Sequence, residues 1–132
     1  MSKIGMILIS HSENIALGLK DLVNEMNDGS VTVVAAGGTS DGRIGTSAIK
    51  IQEAIESLED CDHLLIYADL GSSILSAETA LDLVDEDLAD RCRIVDCPIV
   101  EGALSGMVMA AGSGDVEAAV KASEDTRGTR KL

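Results

Sequence analysis

The chain has 132 residues, 45% of them hydrophobic, which suits one domain with a core able to fold unaided and argues against disorder. A formal charge of -13 sets the surface against nucleic acid and anionic membranes and leaves cationic or neutral partners, or plain solubility, as its use. Tyr67 is the only aromatic residue, so the core must rest on Ile, Leu, Val, Ala and Met, and composition argues against a site that stacks bases or sugars on rings.

Ile4 to Ile9 reads as a buried strand. From Glu13, apolar residues recur at Ile15, Leu19, Leu22, Val23 and Met26, the spacing of one helix face, with Ser12 as N-cap and Asn27-Asp28-Gly29 as a stop. Val31 to Ala36 is a second strand, followed by the glycine-rich loop Gly37-Gly38-Thr39-Ser40-Asp41-Gly42. The spacing then predicts a helix with Ile44, Ala48, Ile51, Ile55 and Leu58 on one face. Leu64 to Ala68 is the third strand, and Asp69-Leu70-Gly71-Ser72-Ser73 leads into a helix through Ile74, Ala77, Leu81 and Val84. Arg93 to Cys97 is the fourth strand, closed by Pro98, and a helix runs from about Ile99 to Ala111. Ser113-Gly114-Asp115 opens a short last helix around Val116 to Lys121, and the polar stretch 126–132 predicts a flexible tail.

Strand and helix thus alternate four times, which predicts a single α/β domain over residues 1–132. It is a three-layer sandwich of a mainly parallel four-stranded sheet with helices on both faces. Crossovers should be right-handed, and ligands should bind outside the carboxyl ends of the strands. Cys61, Cys92 and Cys97 are odd in number, lie in or beside apolar runs and lack CxxC spacing; they read as reduced thiols of a cytosolic protein. No apolar run approaches the ~20 residues that span a bilayer, and no signal peptide precedes the first strand.

Three strand-to-helix turns carry the chemistry. In Ser10-His11-Ser12, an imidazole stands at a strand end and a helix start, where amide groups and the helix dipole favour a phosphate. The alternative is a histidine that merely caps or packs. Gly37 to Gly42 allows close backbone approach and an anion cradle, yet lacks the Lys-Ser/Thr ending of a P-loop; it is otherwise a flexible connection. In Asp69 to Ser73, the carboxylate can accept a hydrogen bond from one imidazole nitrogen and leave the other free to attack. Ser72 and Ser73 can bond phosphate oxygens or cap the helix, and Asp69 has an ordinary turn role as its alternative. His63 begins the third strand, at the far end of the sheet, and reads as structural. Glu101 either borders the site or is an exposed acid in a first helical turn.

With these residues in hand, the chain resembles the phosphotransferase subunits of phosphoenolpyruvate-dependent dihydroxyacetone kinases, the DhaM family. It is more distantly similar to the IIA domain of mannose-type sugar phosphotransferase systems. The resemblance rests on Gly5-Met6-Ile7-Leu8-Ile9-Ser10-His11-Ser12, Ala36-Gly37-Gly38-Thr39, Tyr67-Ala68-Asp69-Leu70-Gly71-Ser72 and Pro98-Ile99-Val100-Glu101-Gly102-Ala103. It implies that His11 accepts a phosphoryl group on Nε2 from phospho-HPr and delivers it to ADP on the subunit DhaL, with magnesium there. The resulting ATP phosphorylates dihydroxyacetone on DhaK. It implies further that Asp69 orients His11, that Gly38, Thr39, Gly71 and Ser72 surround the phosphate, and that no metal or cofactor sits on this chain. A cytoplasmic homodimer, without nucleic acid or membrane partners, completes the expectation. The mannose branch usually carries a tryptophan near the acidic turn; this chain has none, which favours the dihydroxyacetone branch. Longer DhaM proteins continue into HPr-like and enzyme-I-like domains, so a separate HPr is expected as donor. Mannose-type relatives can pair through a C-terminal strand, for which Thr126 to Leu132 shows no clear pattern.

Rival readings lack their residues. A tetrapyrrole metal chelatase also places a histidine after the first strand, but needs further metal-binding histidines, and His63 is poorly placed. A histidine phosphatase wants Arg-His-Gly where this chain has Ser-His-Ser, and a response regulator wants an acidic pair after the first strand for magnesium. A non-catalytic module regulated by phosphorylation of His11 is separated by assaying onward transfer.

Overall fold

The computed structural model describes residues 3–132; the first two residues of the expected domain lie outside the described residues. Strands β1 (Ile4–Ser10), β2 (Val31–Gly37), β3 (His63–Ala68) and β4 (Cys92–Ile94) form one sheet in the order β2-β1-β3-β4, all parallel. Helices α1 (Glu13–Asn24), α2 (Ala48–Glu56), α3 (Gly71–Leu83), α4 (Glu86–Ala89), α5 (Ile99–Ser113) and α6 (Val116–Asp125) cover it.

The pleat sorts β1 into two cores. Met6 and Leu8 point to one face, with Leu19 and Val23 of α1, Met107 of α5 and Val120 of α6. Ile7 and Ile9 point to the other, with Ile51 and Ile55 of α2 and Ala77 and Ala80 of α3. These four β1 side chains are fully buried, and each stabilises the fold by roughly 1.5–3 kcal/mol. The single aromatic ring serves as a peg. Ser123 Oγ donates to Gly102 O at 2.8 Å and therefore accepts from Tyr67 O–H, also at 2.8 Å, which ties β3 to both α5 and α6.

Three local expectations are corrected. Ile44 belongs to no helix: it is 77% exposed in the loop before α2, because Ser47 caps that helix and starts it at Ala48. The buried stripe of α1 runs through Ala16, Leu19 and Val23, whereas Ile15, Leu22 and Met26 are exposed. β4 is shorter than Arg93–Cys97; Val95 makes one last bond to Ile66 O at 2.9 Å before the exposed Asp96 leaves the sheet on the way to Pro98. The short α4 was not foreseen, since four residues carry no periodicity. At the C-terminus, Thr126–Gly128 form a 3-10 turn in which Thr126 is buried, and Arg127 pairs with Asp96 at 3.0 Å. The three cysteines are free, and burial pushes the thiols of Cys92 and Cys97 up to about 11. No helix among the described residues is long and apolar enough to cross a membrane.

Candidate active site

Register brings the three turns together. Ile9 pairs with Ala68 and Ser10 with Gly37, so the next residues (His11, Asp69 and Gly38) emerge side by side at the carboxyl edge of the sheet. Two bonds extend the ladders beyond the last pairs, Asp69 N–H to Ile9 O at 3.2 Å and Gly38 N–H to Ser10 O at 3.1 Å.

Asp69 is the hub. Its Oδ1 lies 2.9 Å from His11 Nδ1 and accepts the Ser73 hydroxyl at 2.6 Å and the Leu70 N–H at 2.8 Å. Its Oδ2 accepts the Ser10 hydroxyl at 2.9 Å and the His11 N–H at 3.0 Å. Burial works against the charge, but the Ser73 hydroxyl, the His11 amide and ring, and the Ser10 hydroxyl outweigh it and hold the carboxyl well below the usual range. A carboxylate only accepts, so the ring nitrogen facing it carries the proton. The lone pair of His11 is then on Nε2, where it is free to act as a nucleophile. The His11 side chain is 21% exposed and that of Asp69 15%, so the ring is reachable from solvent while the carboxylate is largely enclosed.

Nε2 faces the start of α3. The Ser72 hydroxyl lies 2.6 Å from it, and Gly71 and Ser72 are both exposed. No side chain caps α3, and its first turn holds no acid, so the leading amides keep their capacity for an anion. The start of α1 differs: Ser12 Oγ caps the Ile15 N–H, and Glu13 places negative charge in the first turn.

The glycine-rich loop is close by but committed to itself. The Gly38 amide is bonded to Ser10 O, and the Thr39 amide to Arg43 O at 2.9 Å. Thr39 Oγ1 donates to Asp41 at 2.5 Å and accepts from the Arg43 N–H at 2.9 Å. Lys50 Nζ binds the carbonyls of Gly37 and Thr39 at 2.8 and 3.3 Å, and Gly45 N–H reaches His11 O at 2.8 Å. The loop is a wall that fixes the histidine turn. Gly37 is required there, because a Cβ would stand 2.8 Å from Ala16 Cβ, Glu13 Cα and Ser12 O, and Gly38 turns the chain at φ +74°.

Of the residues singled out in the sequence, His11, Asp69, Gly71 and Ser72 converge, and Gly38 and Thr39 flank them with their amides spent. His63 starts β3 at the opposite edge, and Glu101 is paired with Lys131 at 2.9 Å. Ser10 had not been singled out as a site residue. The signal was available: a polar residue ending an apolar strand is buried completely, and it needs a partner. Ser73, assigned to phosphate or capping, is also fully buried and turned inward onto Asp69, four residues before it. A cleft of about 350 Å³ opens on the β4 side of Asp69, between Leu70, Ile74, Ile94 and Cys97.

Residues 5–120 match the family EIIA-man, described as PTS system fructose IIA component. The chain is 44% identical over 105 residues to the phosphoryl donor subunit DhaM of PEP-dependent dihydroxyacetone kinase 2 from Listeria innocua, covering 80% of this chain and 84% of that one. It is 39% identical over 117 residues to the corresponding subunit from Escherichia coli, covering 86% of this chain but only 25% of that longer protein. It also spans about a quarter of the Providencia stuartii subunit, at 44% identity over 117 residues and 86% of this chain. A crystal structure of a protein of unknown function superposes with a TM-score of 0.89 at 33% identity, covering 98% of each chain.

Proposed function

The chain belongs to the EIIA-man family of phosphotransferase-system components, and from that premise we propose that it is the phosphoryl donor subunit of a PEP-dependent dihydroxyacetone kinase, working through a phosphohistidine at His11. The observation that carries this reading is the Asp69–His11 pair, 2.9 Å apart, with Nε2 directed at the uncapped start of α3.

Nε2 attacks the phosphorus of phospho-HPr. The new N–P bond forms as the donor imidazole leaves with its electron pair, so no proton needs to move. The His11 ring then carries a positive charge, which the ionised Asp69 stabilises through the Nδ1 proton. The Ser72 hydroxyl, which holds the Nε2 lone pair at 2.6 Å before reaction, rotates aside and donates to a phosphoryl oxygen. The Gly71 and Ser72 amides supply the remaining donors. In the second half, an oxygen of ADP bound to DhaL attacks the phosphorus. The N–P bond breaks, the ring recovers its lone pair, and the ATP formed phosphorylates dihydroxyacetone on DhaK. Magnesium belongs with the nucleotide on DhaL, and on this chain the phosphoryl group is held by the protein's own side chains and amides. We place the protein in the cytoplasm, as a homodimer.

The family's description, a fructose IIA component, favours one second reading, delivery to a sugar-specific carrier of a mannose-type system. Reconstitution separates the two. Phosphoenolpyruvate, enzyme I, HPr and this protein should convert DhaL-bound ADP to ATP; phosphorylation of this protein with no ATP formed on DhaL would overturn the dihydroxyacetone assignment.

A further inference from the structure

Ser73 has a task separate from helix capping and from phosphate binding. It sits one position beyond Ser72 but on the buried side of α3, where its side chain is entirely enclosed. Its hydroxyl donates to Asp69 Oδ1 at 2.6 Å, and the same oxygen lies 3.1 Å from His11 Nδ1. A hydroxyl has one proton to give. Once that proton is committed to the carboxylate, both oxygens facing Nδ1 (Asp69 Oδ1 and Ser73 Oγ) present lone pairs. The only ring tautomer that fits has Nδ1 protonated; the other would set the Nδ1 lone pair against two acceptors. Ser10 makes a useful contrast. It is as buried as Ser73 and also donates to Asp69, at 2.9 Å, but onto Oδ2, the oxygen that faces the His11 backbone N–H instead of the ring.

We propose that Ser73 is a positioning residue that completes the tautomer lock on His11 that Asp69 begins, by donating to Asp69 Oδ1 and facing Nδ1 as a second acceptor, so that the minor tautomer is suppressed and Nε2 stays the free nucleophile. Ser10 steadies the same carboxylate without selecting the ring proton. The proposal rests on the phosphohistidine reading for its consequence, but not for its measurement, since the tautomer exists before any phosphate arrives.

The test is long-range 1H–15N NMR of the His11 ring in the unphosphorylated full chain, with the pH raised until the ring nitrogens give the neutral-imidazole pattern, for the wild type, Ser73→Ala and Ser10→Ala. The wild type should show Nδ1 protonated alone. Ser73→Ala leaves Asp69 Oδ1 as the one acceptor facing Nδ1, so it should keep Nδ1 protonation as the major form but show a minor share of the Nε2-protonated form, and its phosphorylation by phospho-HPr should fall roughly tenfold, the effect of losing one hydrogen bond to a charged group. Ser10→Ala should keep the wild-type tautomer. A wild type with Nε2 protonated, a Ser73→Ala protein with a single wild-type tautomer, or a Ser10→Ala protein as mixed as Ser73→Ala would each overturn the proposal. The wild-type and Ser10→Ala spectra keep it exposed to refutation even where Ser73→Ala does not fold. A wild type with the expected tautomer that accepts no phosphate would sink the functional reading and leave the lock intact.

Discussion

The β2–α2 loop and the β3–α3 turn both sit at the carboxyl edge of the sheet beside His11, and they handle their polar groups in opposite ways. The loop is long, rich in glycine and has the composition of an anion cradle, yet its Gly38 and Thr39 amides are satisfied internally and Lys50 fills its carbonyls. The turn is two residues long, and it delivers a carboxylate, an exposed hydroxyl and an uncapped helix start. On the proposed mechanism the phosphate goes to the turn, whose amides are open, and the loop, whose Gly38 and Thr39 amides already have partners, serves to fix the histidine turn.

That contrast can be broken by substitution. On the proposed mechanism the largest effect is expected from Asp69→Asn, which removes the charge assigned to stabilising the phosphorylated ring; transfer from phospho-HPr should slow by about a hundredfold or more. The same variant has a signature in stability. The Asp69 carboxyl is held below its ordinary value in the folded protein, so its stabilisation is complete above about pH 4 and is lost as pH falls further. Urea midpoints measured from pH 6 to pH 2.5 should drop more steeply for the wild type than for Asp69→Asn; parallel curves would contradict the hub.

Ser72→Ala comes next, with transfer slowed about tenfold through loss of one donor to the phosphoryl group and little change in the melting temperature. Gly37→Ala acts on the fold, since its Cβ would press on the start of α1; urea titration should show a loss of about 1–3 kcal/mol. The smallest effect belongs to Thr39→Val. Its hydroxyl bonds only within the loop, and transfer kinetics should change by less than about twofold. If Thr39→Val costs as much as Ser72→Ala, the loop binds phosphate after all and the contrast fails.

Much of this was legible in the residues. Apolar runs located the strands, alternation with helices gave a parallel sheet, and the strand-end rule selected His11 and Asp69. What stayed hidden depended on tertiary contacts. Ile44 fits a helical stripe by spacing, but Ser47 starts the helix after it. Ile15 and Ala16 are equally compatible with an apolar face, and only the docking of α1 shows that Ala16 is the buried one. In the glycine loop the sequence displays amides without the acceptors that two of them find, Ser10 O for Gly38 and Arg43 O for Thr39. Ser73 looked like a cap or a phosphate ligand because its four-residue distance from Asp69 acquires meaning only when α3 begins at Gly71.

The most direct measurement is 31P NMR of the protein after incubation with phosphoenolpyruvate, enzyme I and HPr. It should give one phosphoramidate resonance at the Nε2 position of His11, absent from the His11→Ala variant. A phosphate at Nδ1, on another residue, or retained in His11→Ala would contradict the placement of the carrier nitrogen between Asp69 and the start of α3.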